Sequence, residues 1–108
     1  MSTLPAPRLR IPRTARPGEV IEIRLLMEHR METGLRHAGA PAAARDMLER
    51  LVIRRDGETI LVAEFRNGTS ANPYHILFVR MDRTATFTVT YTDDKGRSAT
   101  AAAQVSVS

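Results

Sequence analysis

The sequence predicts an all-β protein, an immunoglobulin-like antiparallel β-sandwich of about seven strands, on three observations. Several stretches alternate apolar and polar residues with a period of two, turn-forming dipeptides separate those stretches, and no strand–helix–strand alternation interrupts them. The chain has 108 residues, which suits a single domain over 1–108 that buries roughly 60–70% of the area its unfolded form exposes.

Taken in order, Arg8 to Ile11 reads as a weak edge strand, charged and blunted by the surrounding Pro5, Pro7, Pro12 and Pro17. Pro17-Gly18 supplies the turn into a long half-buried strand. In that strand Ile21, Ile23, Leu25 and Met27 share one face, Glu22, Arg24 and Glu28 the other, and Val20 and Leu26 break the pattern. Leu51 to Ile53 and Ile60 to Phe65 flank Asp56-Gly57, a pair that tolerates the positive φ angles of a tight hairpin. Just before them, Pro41 to Leu51 has high helix propensity and sets Met47, Leu48 and Leu51 at helical spacing, which predicts a short helical turn yielding to strand by about Leu51. A turn over Asn67 to Asn72 leads through Pro73-Tyr74 into a short strand over Ile76 to Met81. Last comes a second hairpin. Phe87, Val89 and Tyr91 alternate with threonines, and, beyond Asp93-Asp94-Lys95-Gly96, Ala99, Ala101, Ala103, Val105 and Val107 alternate with mostly polar residues.

Composition narrows function further. The chain has no cysteine, so disulfides, thiolate metal sites and thiol nucleophiles are excluded. Fifteen of the 16 basic residues are arginine, and the formal net charge is +4. Planar guanidinium groups suit bidentate contacts with carboxylates. No aromatic residue interleaves with Arg8, Arg10, Arg13 and Arg16, so a nucleic-acid arm would lack a stacking platform. No apolar run approaches the roughly 18 residues of a membrane span. The stretch MSTLPAPRLR lacks an apolar signal region, so export is expected to depend on a signal already removed or one carried by a partner.

Catalytic patterns are sparse. His29, His37 and His75 match no ligand spacing and read as unrelated loop or strand-end residues, so neither metal nor cofactor is expected. Asp93-Asp94 reads as a turn cap, and Glu28 and Glu32 flank a loop without a general-acid partner. No nucleophile elbow or phosphate-binding glycine loop is present, and Asn67-Gly68-Thr69 fits a glycosylation sequon that matters only in a glycosylating host. The aperiodic stretches His29 to Gly39 and Asn67 to Tyr74 are the places to search for binding residues. Within them Met31 and Tyr74 fall outside the core alternation; both are of types common at interfaces, and a plain structural role, capping the end of the sandwich, suits either equally well.

Two motifs carry a family resemblance. His29-Arg30-Met31-Glu32-Thr33-Gly34 after a long strand, and Ser70-Ala71-Asn72-Pro73-Tyr74 before a strand ending Phe78-Val79-Arg80, resemble the SoxZ family. Pro17-Gly18-Glu19-Val20, the Asp-Gly hairpin and the acidic turn near Asp93 extend the likeness nearly end to end; Arg30 replaces the proline usual in the first motif. The resemblance implies a non-catalytic, immunoglobulin-like subunit that pairs with SoxY, whose carboxy-terminal arm bears the cysteine to which sulfur is attached during thiosulfate oxidation. It also implies a periplasmic location, export in complex with a signal-bearing partner, and transient contact with other Sox enzymes. The absence of cysteine fits that division of labour, since a stray thiolate would attack the carrier's cargo. The expected partner interface comprises His29, Met31, Glu32, Thr33, Gly34 and Leu35, together with Ser70, Ala71, Asn72, Pro73 and Tyr74 and the neighbouring strand faces. A metal-binding redox protein using the histidines, and a relative serving another periplasmic oxidation pathway, are the alternatives.

Overall fold

The computed structural model describes residues 4–34 and 45–108. Among them eight strands form two sheets and no helix occurs: β1 (Arg8–Arg10), β2 (Thr14–Ala15), β3 (Val20–Leu26), β4 (Leu48–Arg55), β5 (Glu58–Glu64), β6 (Tyr74–Arg80), β7 (Ala85–Asp93) and β8 (Ser98–Val107). The small sheet has the order β1-β3-β6 and the large one β2-β8-β7-β4-β5. Every pairing is antiparallel except that of β2 with β8, which is parallel. The architecture is the all-β, immunoglobulin-like sandwich that the alternation predicts.

The alternating residues fill the space between the sheets as their period requires. Ile21, Ile23, Leu25 and Met27 from the β3 segment meet Leu51 and Ile53 of β4 and Phe87, Val89 and Tyr91 of β7, all buried. The period-two pattern thus becomes the core. Both hairpins form where turn chemistry demands them. Asp56 and Gly57 have φ angles of 50° and 84°, the paired left-handed conformations that a two-residue loop between β4 and β5 requires.

The helical turn expected over Pro41 to Leu51 is a correction. Pro41 to Ala44 lie outside the described residues; beyond them Asp46 forms an isolated bridge with Glu32 and β4 begins at Leu48. A bulge explains the misleading spacing. The β4–β7 register shifts between Leu48 and Arg50, so Glu49 and Arg50 both face solvent and buried Leu48 and Leu51 fall three apart. Helical periodicity is therefore mimicked by one extra residue in a strand.

The two sides of the sandwich differ. On one, the chain leaves the small sheet after β1, passes Pro12 and enters the large sheet as β2, joining the two layers. On the other, the edge strands β5 and β6 face each other without pairing. Ile60, Leu61, Ala63, Phe65, Leu77 and Val79 are only partly buried there, and a hollow of about 430 Å³ opens between the strands.

Candidate functional site

The two motifs singled out in the sequence, more than thirty positions apart, meet at one end of the sandwich. The His29 amide donates to the Asn72 side-chain oxygen at 3.0 Å, and the Asn72 amide donates to the His29 carbonyl at 2.6 Å. A further bond runs from the Met27 amide to the Pro73 carbonyl at 3.1 Å. Chain reversal at this junction uses positive φ angles at Met31 (52°), Gly34 (78°) and Asn72 (52°). Asparagine adopts the left-handed conformation readily; methionine does so at a cost, and such outliers concentrate at functional sites.

The side chains separate into a braced interior and an exposed rim. His29, Met31 and Pro73 are buried, Glu32, Thr33 and Gly34 are half-buried, and Ser70, Ala71, Asn72 and Tyr74 are exposed. Leu35 lies outside the described residues. The interior members brace one another: His29 Nδ1 accepts from the Met31 amide at 3.0 Å, and a Glu32 carboxylate oxygen accepts from the Gly34 amide at 3.0 Å. Met31, in a segment that the alternation does not assign to the core, packs within it at 6% exposure. Its neighbours carry no period, so nothing in the pattern marks it as inward. Tyr74, by contrast, is 52% exposed at the first position of β6.

An ionic cluster that the sequence did not reveal supports this end from beneath. Asp46 Oδ1 lies 3.4 Å from His29 Nε2, 3.3 Å from Lys95 Nζ and 3.3 Å from an Arg97 guanidinium nitrogen, while its Oδ2 lies 3.4 Å from Arg30 Nε. Asp93, fully buried, accepts from the Lys95 and Arg97 amides at 3.0 and 2.8 Å and from Arg97 Nε at 2.6 Å. Burial alone raises the pKa of Asp93, but the bonds from Arg97 and Lys95 outweigh it and hold the carboxyl below its ordinary value. Asp46 is depressed likewise, burial opposing and Lys95, His29 and Arg30 prevailing.

The cluster's chemistry is that of a structural brace. Oxygens of Asp46, Asp93 and Asp94 come within 4.8 Å of one another, a spacing compatible with a cation, but Lys95, Arg97, Arg45 and Arg30 already supply the counter-charge. Because His29 Nδ1 accepts a hydrogen bond, the ring proton of its neutral form sits on Nε2, facing Asp46, and leaves no lone pair for a metal. His75 points elsewhere, into the open side of the sandwich, where its ring lies 5.6 Å from that of Phe65. Burial lowers the pKa of His75, and burial pushes the hydroxyl of Tyr91, whose ring stacks with that of Phe65 at a centroid distance of 6.1 Å, up to about 12.

Tyr74 continues the exposed rim onto a sheet face. The outward residues of β6 are Tyr74, Ile76, Phe78 and Arg80, opposite Leu26, Arg24, Glu22 and Val20 of β3. Phe78 is 68% exposed. Sequence reading reached Val20 and Leu26 only as breaks in the alternation; the structure gives them a shared location.

Comparison with known proteins agrees with this geometry. Solved structures with the same fold include a sulfur carrier protein SoxY from Chlorobium limicola f thiosulfatophilum, with TM-score 0.67 and 14% identity, covering 98% of this chain and 86% of that one. They also include a superoxide reductase (neelaredoxin) from Ignicoccus hospitalis, with TM-score 0.72 and 12% identity over 97% of this chain and 82% of that one. A putative superoxide reductase from Thermotoga maritima gives TM-score 0.72 and 12% identity over 95% and 86%. At such identities the likeness is one of fold. No curated protein matches by sequence. The family profile described as "Sulphur oxidation protein SoxZ" matches residues 9–104, a span that includes both motifs, the ionic cluster and β6, so the chain belongs to the SoxZ family of sulfur-oxidation proteins.

Proposed function

We propose that this chain is the non-catalytic half of a periplasmic sulfur-carrier heterodimer. As a single-domain scaffold it binds and stabilises a SoxY-like subunit whose carboxy-terminal cysteine arm carries sulfur during thiosulfate oxidation, and the pair meets other Sox enzymes transiently. The observation that carries this reading is the SoxZ family match across nearly the whole chain. Two features support it: the sequence has no thiol to compete with a carrier cysteine, and the site consists of a braced loop junction rather than paired acid and base groups. Ser70, Ala71, Asn72 and Tyr74 form the contact rim in this reading, while His29, Met31 and Pro73 set its shape and Glu32, Thr33 and Gly34 complete the loop. Purification of the untagged native protein from periplasm, followed by mass spectrometry, tests the proposal. The expected result is a stoichiometric subunit with a terminal cysteine bearing sulfur adducts; recovery of the chain as a lone monomer overturns it.

A further inference from the structure

The outer face of the small sheet departs from what an antiparallel sheet facing water normally shows. Such a sheet alternates apolar inside with polar outside, whereas Ile76-Leu77-Phe78-Val79 in β6 is a continuous apolar run, as in a strand covered on both faces. Leu77 and Val79 turn inward; Tyr74, Ile76 and Phe78 turn outward with nothing over them. Of the five large apolar side chains most exposed among the described residues, four (Val20, Tyr74, Ile76 and Phe78) lie on this face. The outer face of the β7–β8 hairpin differs: Thr86, Thr88, Thr90 and Thr92 stand beside Gln104, Ala102, Thr100 and Ser98.

β6 is also an edge strand, and natural edges are usually protected by charge, proline or brevity. Seven residues long, β6 has its first charge at Arg80 and keeps Pro73 just outside. The inward side beneath it is unfinished as well, since His75 Nδ1 and the Tyr91 hydroxyl are buried without hydrogen-bond partners. Contiguous exposed apolar surface beside an open edge marks a protein-contact site.

Charge sets the chemistry of a complementary occupant. Arg8, Arg10, Arg24, Leu26 and Tyr74 line a hollow of about 250 Å³ beside the apolar stripe, and Arg80 closes its other end. Glu28 pairs with Arg8 at 2.7 Å and Glu22 with Arg24 at 3.3 Å, while Arg10 has no ion pair among the described residues. The surface is therefore an apolar stripe along the edge strand β6 with an arginine-rich strip beside it on β3 and β1, complementary to an apolar patch flanked on one side by carboxylates. We infer that the outer face of the small sheet, centred on Phe78 and Ile76 and continuous with Tyr74 of the loop junction, is where the carrier subunit docks through an apolar, acid-flanked surface. This rests on the heterodimer reading above and adds to it the face, the anchors and the partner's chemistry.

The test uses the full chain and the SoxY-like subunit that co-purifies with it. Phe78→Glu and Ile76→Glu are expected to abolish the complex in calorimetric titration, and Phe78→Ala to weaken it by about 30-fold or more, as for a central aromatic anchor. Arg10→Glu is expected to weaken it by about 10-fold at low salt and to flatten its salt dependence. Val62→Glu, equally apolar and exposed but on the other sheet, is the control and leaves affinity unchanged. All these side chains face solvent, so unaltered circular dichroism accompanies each change. Wild-type affinity in both glutamate variants overturns the docking face while leaving the heterodimer reading intact. Failure of any cysteine-armed subunit to bind the wild-type chain overturns both. Loss of a homodimer in the Phe78→Glu variant, with carrier binding retained, assigns the face to a second copy and also overturns the inference.

Discussion

Asn72 performs two tasks with one side chain: it occupies a left-handed turn position at φ 52° and its oxygen accepts the His29 amide. Asn72→Gly keeps the backbone and loses the bond, and is expected to cost about 1 kcal/mol. Asn72→Ala loses the bond and adds left-handed strain, for a total of about 2 kcal/mol. Thermal denaturation of both variants checks the order, and equal melting temperatures would assign the junction's strength elsewhere. Asp93 gives a prediction in pH. Its folded pKa lies below the ordinary carboxylate value, so its contribution to stability is complete above about pH 4 and is lost as pH falls through the depressed folded value. Denaturant unfolding should therefore show Asp93→Asn clearly less stable than wild type at pH 7, with the gap narrowing as pH falls below the ordinary carboxylate value of about 4; a pH-independent gap refutes the ionic role. Such roles were only partly legible in sequence. Asp93 sits in an obvious acidic turn, but its bonds to Arg97 and the cluster around Asp46 depend on segments that only the fold brings together. Met31 could be weighed as interface residue or structural cap but not assigned, because one inward residue in an aperiodic loop leaves no pattern.

At the scale of elements, what could be read followed directly from local chemistry. The β4–β5 hairpin announces itself through Asp56-Gly57, and its second residue at φ 84° is where glycine is needed. Gly57→Ala meets no neighbouring atom, so its expected cost of about 1 kcal/mol is purely conformational. That corresponds to a fall in melting temperature of roughly 4–8 °C, measurable by calorimetry; an unchanged value would mean that the turn relaxes to another type. β7 and β8 were equally clear, because strict alternation survives even alanine's poor strand propensity once the partner strand is in register. β2 was not foreseen: two residues in an arginine- and proline-rich stretch gain strand geometry only from the parallel neighbour they meet. The bulge in β4 was read as a helix because periodicity counts residues and does not see an extra one.

For the molecule as a whole, the sandwich could be inferred from the pattern of strands and turns, and the candidate site from its two motifs. Strand faces beside those motifs were expected at the interface, but which face and which residues could not be told, since an apolar residue on the wrong side of a strand looks in sequence like noise in the alternation. Val20 and Leu26 acquire meaning only beside Tyr74, Ile76 and Phe78, a neighbourhood created by β3–β6 pairing across more than forty residues. The passage from β1 through Pro12 to β2 acts as the spine of a book, and the unpaired β5 and β6 are its fore-edge. The softest deformation of such a body is a change in the angle between its covers. A change in that angle widens or narrows the hollow between β5 and β6 while the β1–β2 side stays closed.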